Sequence, residues 1–223
     1  MILFAINYRF LDNLTIDLLD ESESGIVERV IDGDTIVVNG NSVRLLGINC
    51  PEKNENYYEE SKKYLEERVL GKKIELRFGR ERYDKYDRVL AYAFLNEENI
   101  NLDLIVNGFA NFYFPSGRDN YYNMFRNAWI DCINKNINLC ESSTYSCKKC
   151  IEIISRSAIK NNCAFDCNIS NWEIKGEGRQ KFIFYNAVLE SSRETFFDLE
   201  LNPQDTLFLR DEFGKLVSWK DMK

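Results

Sequence analysis

Five short β-segments interleaved with three helical stretches, followed by a series of short β-segments at near-regular spacing, predict two architectures in one chain. The first is an α+β unit built on a five-stranded β-barrel of the OB type, and the second is a small all-β sandwich. The boundaries fall at residues 25–140 and 147–223, with an N-terminal extension over 1–24 and a polar linker over 141–146. Hydrophobic residues make up 44% of the 223, with only 3 Pro and 11 Gly, so the chain can bury a core and is not a collagen, a stalk or a disordered polymer.

The elements follow in order. Met1–Asp20 reads as one amphipathic strand or short helix, and the acidic run Asp20–Gly25 as a linker or turn. Ile26–Ile31 and Thr35–Val38 are β-branched runs. Asn39-Gly40-Asn41 then marks a hairpin into Val43–Ile48, because Asn and Gly tolerate the positive φ of a tight turn. Tyr57–Leu70 places Tyr58, Ser61, Leu65 and Val69 on one helical face and stops at Gly71. Ile74–Phe78 and Val89–Leu95 complete the barrel, joined by the charged loop Gly79–Arg88. Asn101 is placed as the cap of a helix carrying Leu102, Ile105, Val106 and Phe109, and a third helix runs from about Tyr121 to Asn136. Beyond the linker, Ile151–Ile154, Asn171–Lys175, Phe182–Phe184, Phe196–Leu199, Thr206–Leu209 and Leu216–Trp219 read as strands, with turns at Gly176-Glu177-Gly178 and Glu212-Phe213-Gly214.

Composition removes several chemistries. There is no His, so Ser-His-Asp hydrolysis, His-Cys proteolysis and His-ligated zinc are excluded. The formal charge of −7 opposes long-range attraction of nucleic acid, so any basic site must be local. No apolar run approaches the roughly 18 residues of a membrane span. Met1–Ile6 is apolar but lacks a basic flank and soon meets Asn7 and Arg9, unlike a signal peptide.

Three blocks carry the chemistry: Asp32-Gly33-Asp34-Thr35, Arg44-Leu45-Leu46-Gly47-Ile48-Asn49-Cys50-Pro51-Glu52, and Asp84-Lys85-Tyr86-Asp87-Arg88-Val89. Singly, each has a bland account: Asp34 could cap a turn, Arg44 could be a solvated barrel residue, and Glu52 could complement a helix N-terminus. In this order, on this strand–helix pattern, they resemble the staphylococcal nuclease (thermonuclease) family over about residues 25–140. The resemblance implies a calcium-dependent endonuclease acting on DNA or RNA and leaving 3′-phosphate ends. It implies that Asp34 and Asn49 are side-chain ligands of one Ca²⁺ and that Cys50 contributes its backbone carbonyl. Glu52 would hold the attacking water, Arg44 and Arg88 would grip the scissile phosphate, and Lys85, Tyr86 and Tyr113 would contact substrate, with Phe112 or Phe114 as further stacking faces. The chemistry is consistent: Ca²⁺ takes oxygen ligands, and paired guanidiniums stabilise a pentavalent phosphorane by forked hydrogen bonds. Arg80 and Arg82 with Lys85 and Arg88 would form a local basic lip. Asn49 departs from the family pattern, where many members carry Asp, and should weaken the ion. The rival is a non-catalytic nucleic-acid-binding barrel, opposed by retention of Asp34, Arg44, Glu52 and Arg88.

Six of the seven Cys fall between Cys132 and Cys167. Cys147, Cys150, Cys163 and Cys167 have spacings compatible with a Cys₄ zinc site or with disulfides. The tail around Ile169–Lys175, Phe182–Phe184, Asp205–Leu209 and Gly214–Val217 is similar to a lamin-tail domain, an Ig-like sandwich. That resemblance implies binding or tethering, favours disulfides over structural zinc, and with the cysteine content favours a secreted or cell-surface setting. No obligate protein partner is called for.

Overall fold

A computed structural model describes residues 22–201 and 205–222. The predicted element over Met1–Asp20 lies outside the described residues. From Ser22 the acidic run is strand, not linker: Ser22, Glu23 and Ser24 pair with Arg77, Leu76 and Glu75.

The barrel contains β1 (Ser22–Asp32), β2 (Thr35–Val38), β3 (Asn41–Leu45), β5 (Lys73–Tyr83) and β6 (Val89–Leu95), in the order β3-β2-β1-β5-β6. Parallel pairing of Val43, Arg44 and Leu45 with Val89, Leu90 and Ala91 joins β3 to β6 and closes it. Closure removes the free edges. The β2–β3 turn is the predicted one, with Asn39 at φ 49° and Gly40 at φ 77°. The predicted single strand Val43–Ile48 is instead broken after Leu45. Gly47, at φ 74°, turns the chain into β4 (Gly47–Asn49), which pairs with β8 (Asn111–Tyr113). A Cβ on Gly47 would sit 2.7 Å from the Phe125 ring, so both the torsion and the space call for glycine.

Three helices pack on the barrel: α1 (Tyr58–Val69), α2 (Ile100–Val106) and α3 (Tyr122–Lys135). On α1, Ser61, Leu65 and Val69 recur every fourth residue and are buried. Burying a side chain such as Leu65 contributes about 2 kcal/mol. The cap of α2 is Asn99, reached through the short β7 (Glu98–Asn99), and its Oδ1 accepts from the Leu102 N–H at 3.0 Å. Asn101 is not the cap. It is fully buried, accepts from the Ala93 N–H at 3.0 Å and donates to the Leu46 carbonyl at 2.8 Å, fastening the helix where the β3–β4 strand breaks. The charged segment Gly79–Arg88 is also not all loop, since β5 continues to Tyr83 and that residue pairs with Val89.

The later strands are β9 (Ile151–Ser155), β10 (Ala158–Asn161), β11 (Cys167–Asn168), β12 (Trp172–Lys175), β13 (Lys181–Phe184), β14 (Val188–Leu189), β15 (Glu194–Phe196), β16 (Thr206–Arg210) and β17 (Leu216–Asp221). They form a four-stranded sheet in the order β13-β12-β16-β17, a three-stranded sheet β15-β10-β9, and the pair β11-β14. The sequence pattern missed β10, β11 and β14, and Leu199 lies beyond the strand predicted around it. Ile153, Ile159, Ile169, Trp172, Ile174, Leu207 and Leu209 share one apolar cluster.

These strands are not a separate bead. Phe208 and Leu216 belong to the apolar cluster of the barrel and helices, with Trp219 packed against it. Phe208 lies edge-on to Trp129 of α3 and Phe112 of β8, at centroid distances of 5.2 and 6.0 Å. Buried Arg210 donates to the carbonyls of Leu139 and Gly214 and to Asn111 Oδ1. Lys175 and Lys181 both pair with Glu55, at 2.9 and 3.1 Å. Three disulfides are present: Cys147–Cys167, Cys150–Cys163 and Cys132–Cys140, the last outside the predicted set.

Candidate active site

The Asp32-Gly33-Asp34 turn between β1 and β2 lies tight against α1. A Cβ on Gly33 would fall 2.0 Å from Ser61 Oγ and 2.8 Å from Cys50 Cβ, so only glycine allows that approach. The turn delivers Asp34 into the interior, 6% exposed. Its Oδ1 accepts from Thr35 Oγ1 at 3.1 Å, and its Oδ2 accepts from the Cys50 N–H at 3.0 Å and pairs with Arg44 at 3.0 Å. Arg44, on β3, is itself buried and also donates to the carbonyls of Leu45 and Ile48, at 2.7 and 2.9 Å, with Asn49 Oδ1 at 3.4 Å. A buried charge pair survives only when its remaining donors and acceptors are met, as these are.

The neighbourhood is acidic. Burial, and after it repulsion from Asp34, pushes the Asp32 carboxyl upward. Burial and the same negative charge push the Cys50 thiol well up, so its sulfur stays protonated and is no nucleophile.

A cleft of about 850 Å³ opens beside this centre, lined by Arg44, Asn49, Lys85, Tyr86, Arg88 and Tyr113. The turn between β5 and β6 is shaped by Asp84, whose Oδ1 accepts from the N–H groups of Tyr86 and Arg88 at 2.8 and 3.0 Å. Its Oδ2 holds the Arg88 guanidinium at 2.7 Å. Burial alone would raise the Asp84 carboxyl, but the hydrogen bonds from Arg88 outweigh it and hold Asp84 below the usual range. Tyr86 is exposed, with Lys85 Nζ and the Arg88 guanidinium 5.1 and 5.6 Å from its ring centroid. Tyr113 enters from β8, opposite Gly47, and burial raises its phenol so that it remains neutral.

Two groups of expected contacts are corrected. Phe112 is fully buried against Trp129 of α3 and cannot stack on a ligand, whereas Phe114 packs edge-on to Phe125 yet borders the cleft. Of the basic lip, Arg80, Lys85 and Arg88 line the cleft, but Arg82 lies over the Phe78 ring and pairs with Glu23.

Glu52 sits just beyond β4, with its N–H donating to Glu55 Oε2 at 2.9 Å. Its Oε1 pairs with Arg179 Nε at 2.6 Å, and Asn49 Nδ2 donates to the Gly178 carbonyl at 3.3 Å. Gly178 and Arg179 belong to the turn between β12 and β13, and both line the cleft. Sequence reasoning missed them. Gly176-Glu177-Gly178 is legible as a turn, but nothing local says where it points.

Asp34, Asn49 and the Cys50 carbonyl offer oxygen donors only, and the acidic turn beside them favours a cation; this donor set fits a hard ion such as Ca²⁺. Among the described residues, the one group of three acidic or sulfur side chains with ligand atoms within 4.8 Å of one another is Cys147, Cys163 and Cys167, all engaged in disulfides.

Comparison with known proteins supplies the context. A family model described as "Staphylococcal nuclease homologue" matches residues 42–140. The thermonuclease of Staphylococcus intermedius is 32% identical over 129 residues, covering 53% of this chain and 77% of that protein. An uncharacterized endonuclease of Haemophilus influenzae is 36% identical over 101 residues, covering 43% and 56%. An endonuclease of Bacillus subtilis is 36% identical over 124 residues, covering 47% of this chain and 10% of that much longer protein.

Proposed function

The chain belongs to the staphylococcal nuclease family, and from that premise we propose that it is a calcium-dependent endonuclease that hydrolyses phosphodiester bonds of DNA or RNA and leaves 3′-phosphate ends. The carrying observation is the convergence of Arg44 and Arg88, from opposite sides of the barrel closure, on one cleft shared with Lys85, Tyr86 and Tyr113.

Arg44 and Arg88 grip the scissile phosphate. Arg44 is rigid, with a buried carboxylate and two carbonyls fixing its fork. Arg88 is poised by its ion pair with Asp84 beside the Tyr86 ring, and can turn a guanidinium edge toward an incoming anion. Such preorganised donors stabilise the charge that builds on the equatorial oxygens. Glu52, held beside the cleft by its pair with Arg179 in a chain without His, orients the attacking water and accepts its proton. Tyr86 and Tyr113 offer faces for bases on either side, and Lys85 a point charge for a neighbouring phosphate. Asp34, Asn49 and the Cys50 carbonyl would hold Ca²⁺, which when bound neutralises phosphate charge and polarises water.

The strands over 147–223 we assign as a lamin-tail-like sandwich used for binding or tethering, supported by the shared core of their two larger sheets. The decisive measurement is cleavage of single- and double-stranded DNA and of RNA in Ca²⁺, Mg²⁺ or chelator, with product ends tested for removal of a 3′-phosphate by phosphatase. Cleavage that persists in chelator, or 3′-hydroxyl products, would refute the assignment. Binding of all three without cleavage would favour the non-catalytic barrel.

A further inference from the structure

The turn between β12 and β13 does not merely pass over the cleft. It is fastened there by Glu177, which is 1% exposed and whose two oxygens accept from the Phe114 N–H in the barrel unit and the Thr206 N–H on β16, both at 3.0 Å. A buried carboxylate that satisfies backbone donors from two units is a rigid pin. One residue on, the Gly178 carbonyl receives Asn49 Nδ2, so the pin holds the turn against the candidate ion site. The next residue is Arg179, whose side chain remains 62% exposed on the cleft wall shared with Arg44 and Arg88.

We propose that Arg179 is a substrate-contacting residue of the nuclease site, supplied by the C-terminal strands. In the free protein it rests on Glu52; when a nucleic-acid strand enters, it moves to a phosphate next to the one gripped by Arg44 and Arg88. This inference rests on the nuclease assignment above. Three features carry it. The guanidinium recognises a phosphate with the same planar fork it offers a carboxylate, so the exchange replaces one charge-assisted pair with another. The Glu52 pair is substantially exposed, and such pairs yield readily to a competing anion. The exchange also frees Glu52 to meet water only when a phosphate is present, which couples substrate capture to readiness of the base. The net charge of −7 adds a reason for the device: with no attraction from the molecule as a whole, each cation added at the cleft matters.

The test compares the parent with Arg179→Ala and Arg179→Lys by two routes. Binding of a fluorescein-labelled single-stranded oligothymidylate is measured by anisotropy in chelator over a range of salt, and steady-state cleavage of the same strand is measured in Ca²⁺. Arg179→Ala should weaken binding about 5- to 10-fold at 0.1 M salt and lower the slope of log K against log salt by about 0.7, the loss of one phosphate contact on a single strand. KM should rise by a similar factor while kcat moves much less, and Arg179→Lys should recover most of the salt slope. Thermal melting should match the parent. An unchanged slope and KM would overturn the proposal. Tighter binding or faster cleavage by Arg179→Ala would overturn it in favour of an inhibitory strap on Glu52. If the parent binds but does not cut, the nuclease assignment fails and the salt slope still decides whether Arg179 meets phosphate. If the parent cuts and the slope is unmoved, the Arg179 proposal alone fails.

Discussion

Replacing Arg44 and Arg88 separately by Ala should give two enzymes equally crippled in cleavage but very different in stability. Removing either donor set from the transition state should cost roughly 10²- to 10³-fold in rate, about 3–4 kcal/mol. The structural costs diverge because the two arginines are held differently. Arg44→Ala leaves the Asp34 carboxylate buried without its cation and strips donors from the Leu45 and Ile48 carbonyls. Breaking a buried pair in this way costs about 3–5 kcal/mol, a large share of a typical 5–15 kcal/mol. Arg88 stands 21% exposed beside Asp84, which keeps two backbone donors after the guanidinium is gone. Its loss should cost about 1 kcal/mol. Urea unfolding gives both numbers, and cleavage rates taken where each variant is fully folded separate chemistry from stability. Adding Asp34→Asn to Arg44→Ala should return stability without returning activity, since no buried charge is then orphaned. Equal stability losses in the two single variants, or a loss below about 1 kcal/mol for Arg44→Ala, would refute the account of a rigid arginine beside a poised one.

Phe208→Ala, or removal of the chain after Glu141, uncovers Trp129 and Phe112; the point substitution should cost about 3–5 kcal/mol and lower the unfolding midpoint of the whole protein in one transition. Two separate transitions with an undisturbed barrel would contradict the shared core. Glu55 is held below the ordinary glutamate value of 4.5: burial would raise it, but Lys175 and Lys181 outweigh that. Its depressed pKa contributes stability that is present above 4.5 and lost as the pH falls below it, so Glu55→Gln should flatten the acid limb of the stability–pH curve, measured by thermal melting. Asn49→Asp adds a carboxylate to a donor set with one charged side chain, and should lower the Ca²⁺ needed for half-maximal cleavage several-fold; an unchanged calcium titration would remove Asn49 from the ion site. Intact-mass analysis of unreduced protein should find the chain lighter by six hydrogens, with no bound zinc by metal analysis. One tightly held zinc would overturn the pairing of Cys147 with Cys167 and of Cys150 with Cys163.

What the sequence determined by itself was whatever short-range chemistry controls. Asn39-Gly40 specifies its hairpin because those residues accept positive φ, and Ser61, Leu65 and Val69 specify the buried face of α1 because a helix repeats every 3.6 residues. The grouping of Asp34, Arg44, Asn49 and Arg88 was expected only through the family resemblance that the three blocks carry; the structure pairs Asp34 with Arg44, sets Asn49 beside Arg44 and brings Arg44 and Arg88 to one cleft. Only the tertiary structure decided matters that depend on distant partners. The strand over Val43–Ile48 breaks because β8 and Phe125 wait for Gly47, and Phe112 is lost to stacking because α3 and Phe208 enclose it. Asn101 could not be recognised as a buried clamp while its acceptor on Leu46 lay 55 residues away. Cys132 finds Cys140 only because α3 ends and the chain doubles back. The turn carrying Arg179 meets the site across 129 residues, through a hydrogen bond from Asn49 to Gly178 that no periodicity or local motif encodes. Local patterns fix backbone torsions and which face is apolar, whereas the surface a solvated turn will meet is set by how two cores pack, and here that packing carries a cation to the mouth of the cleft.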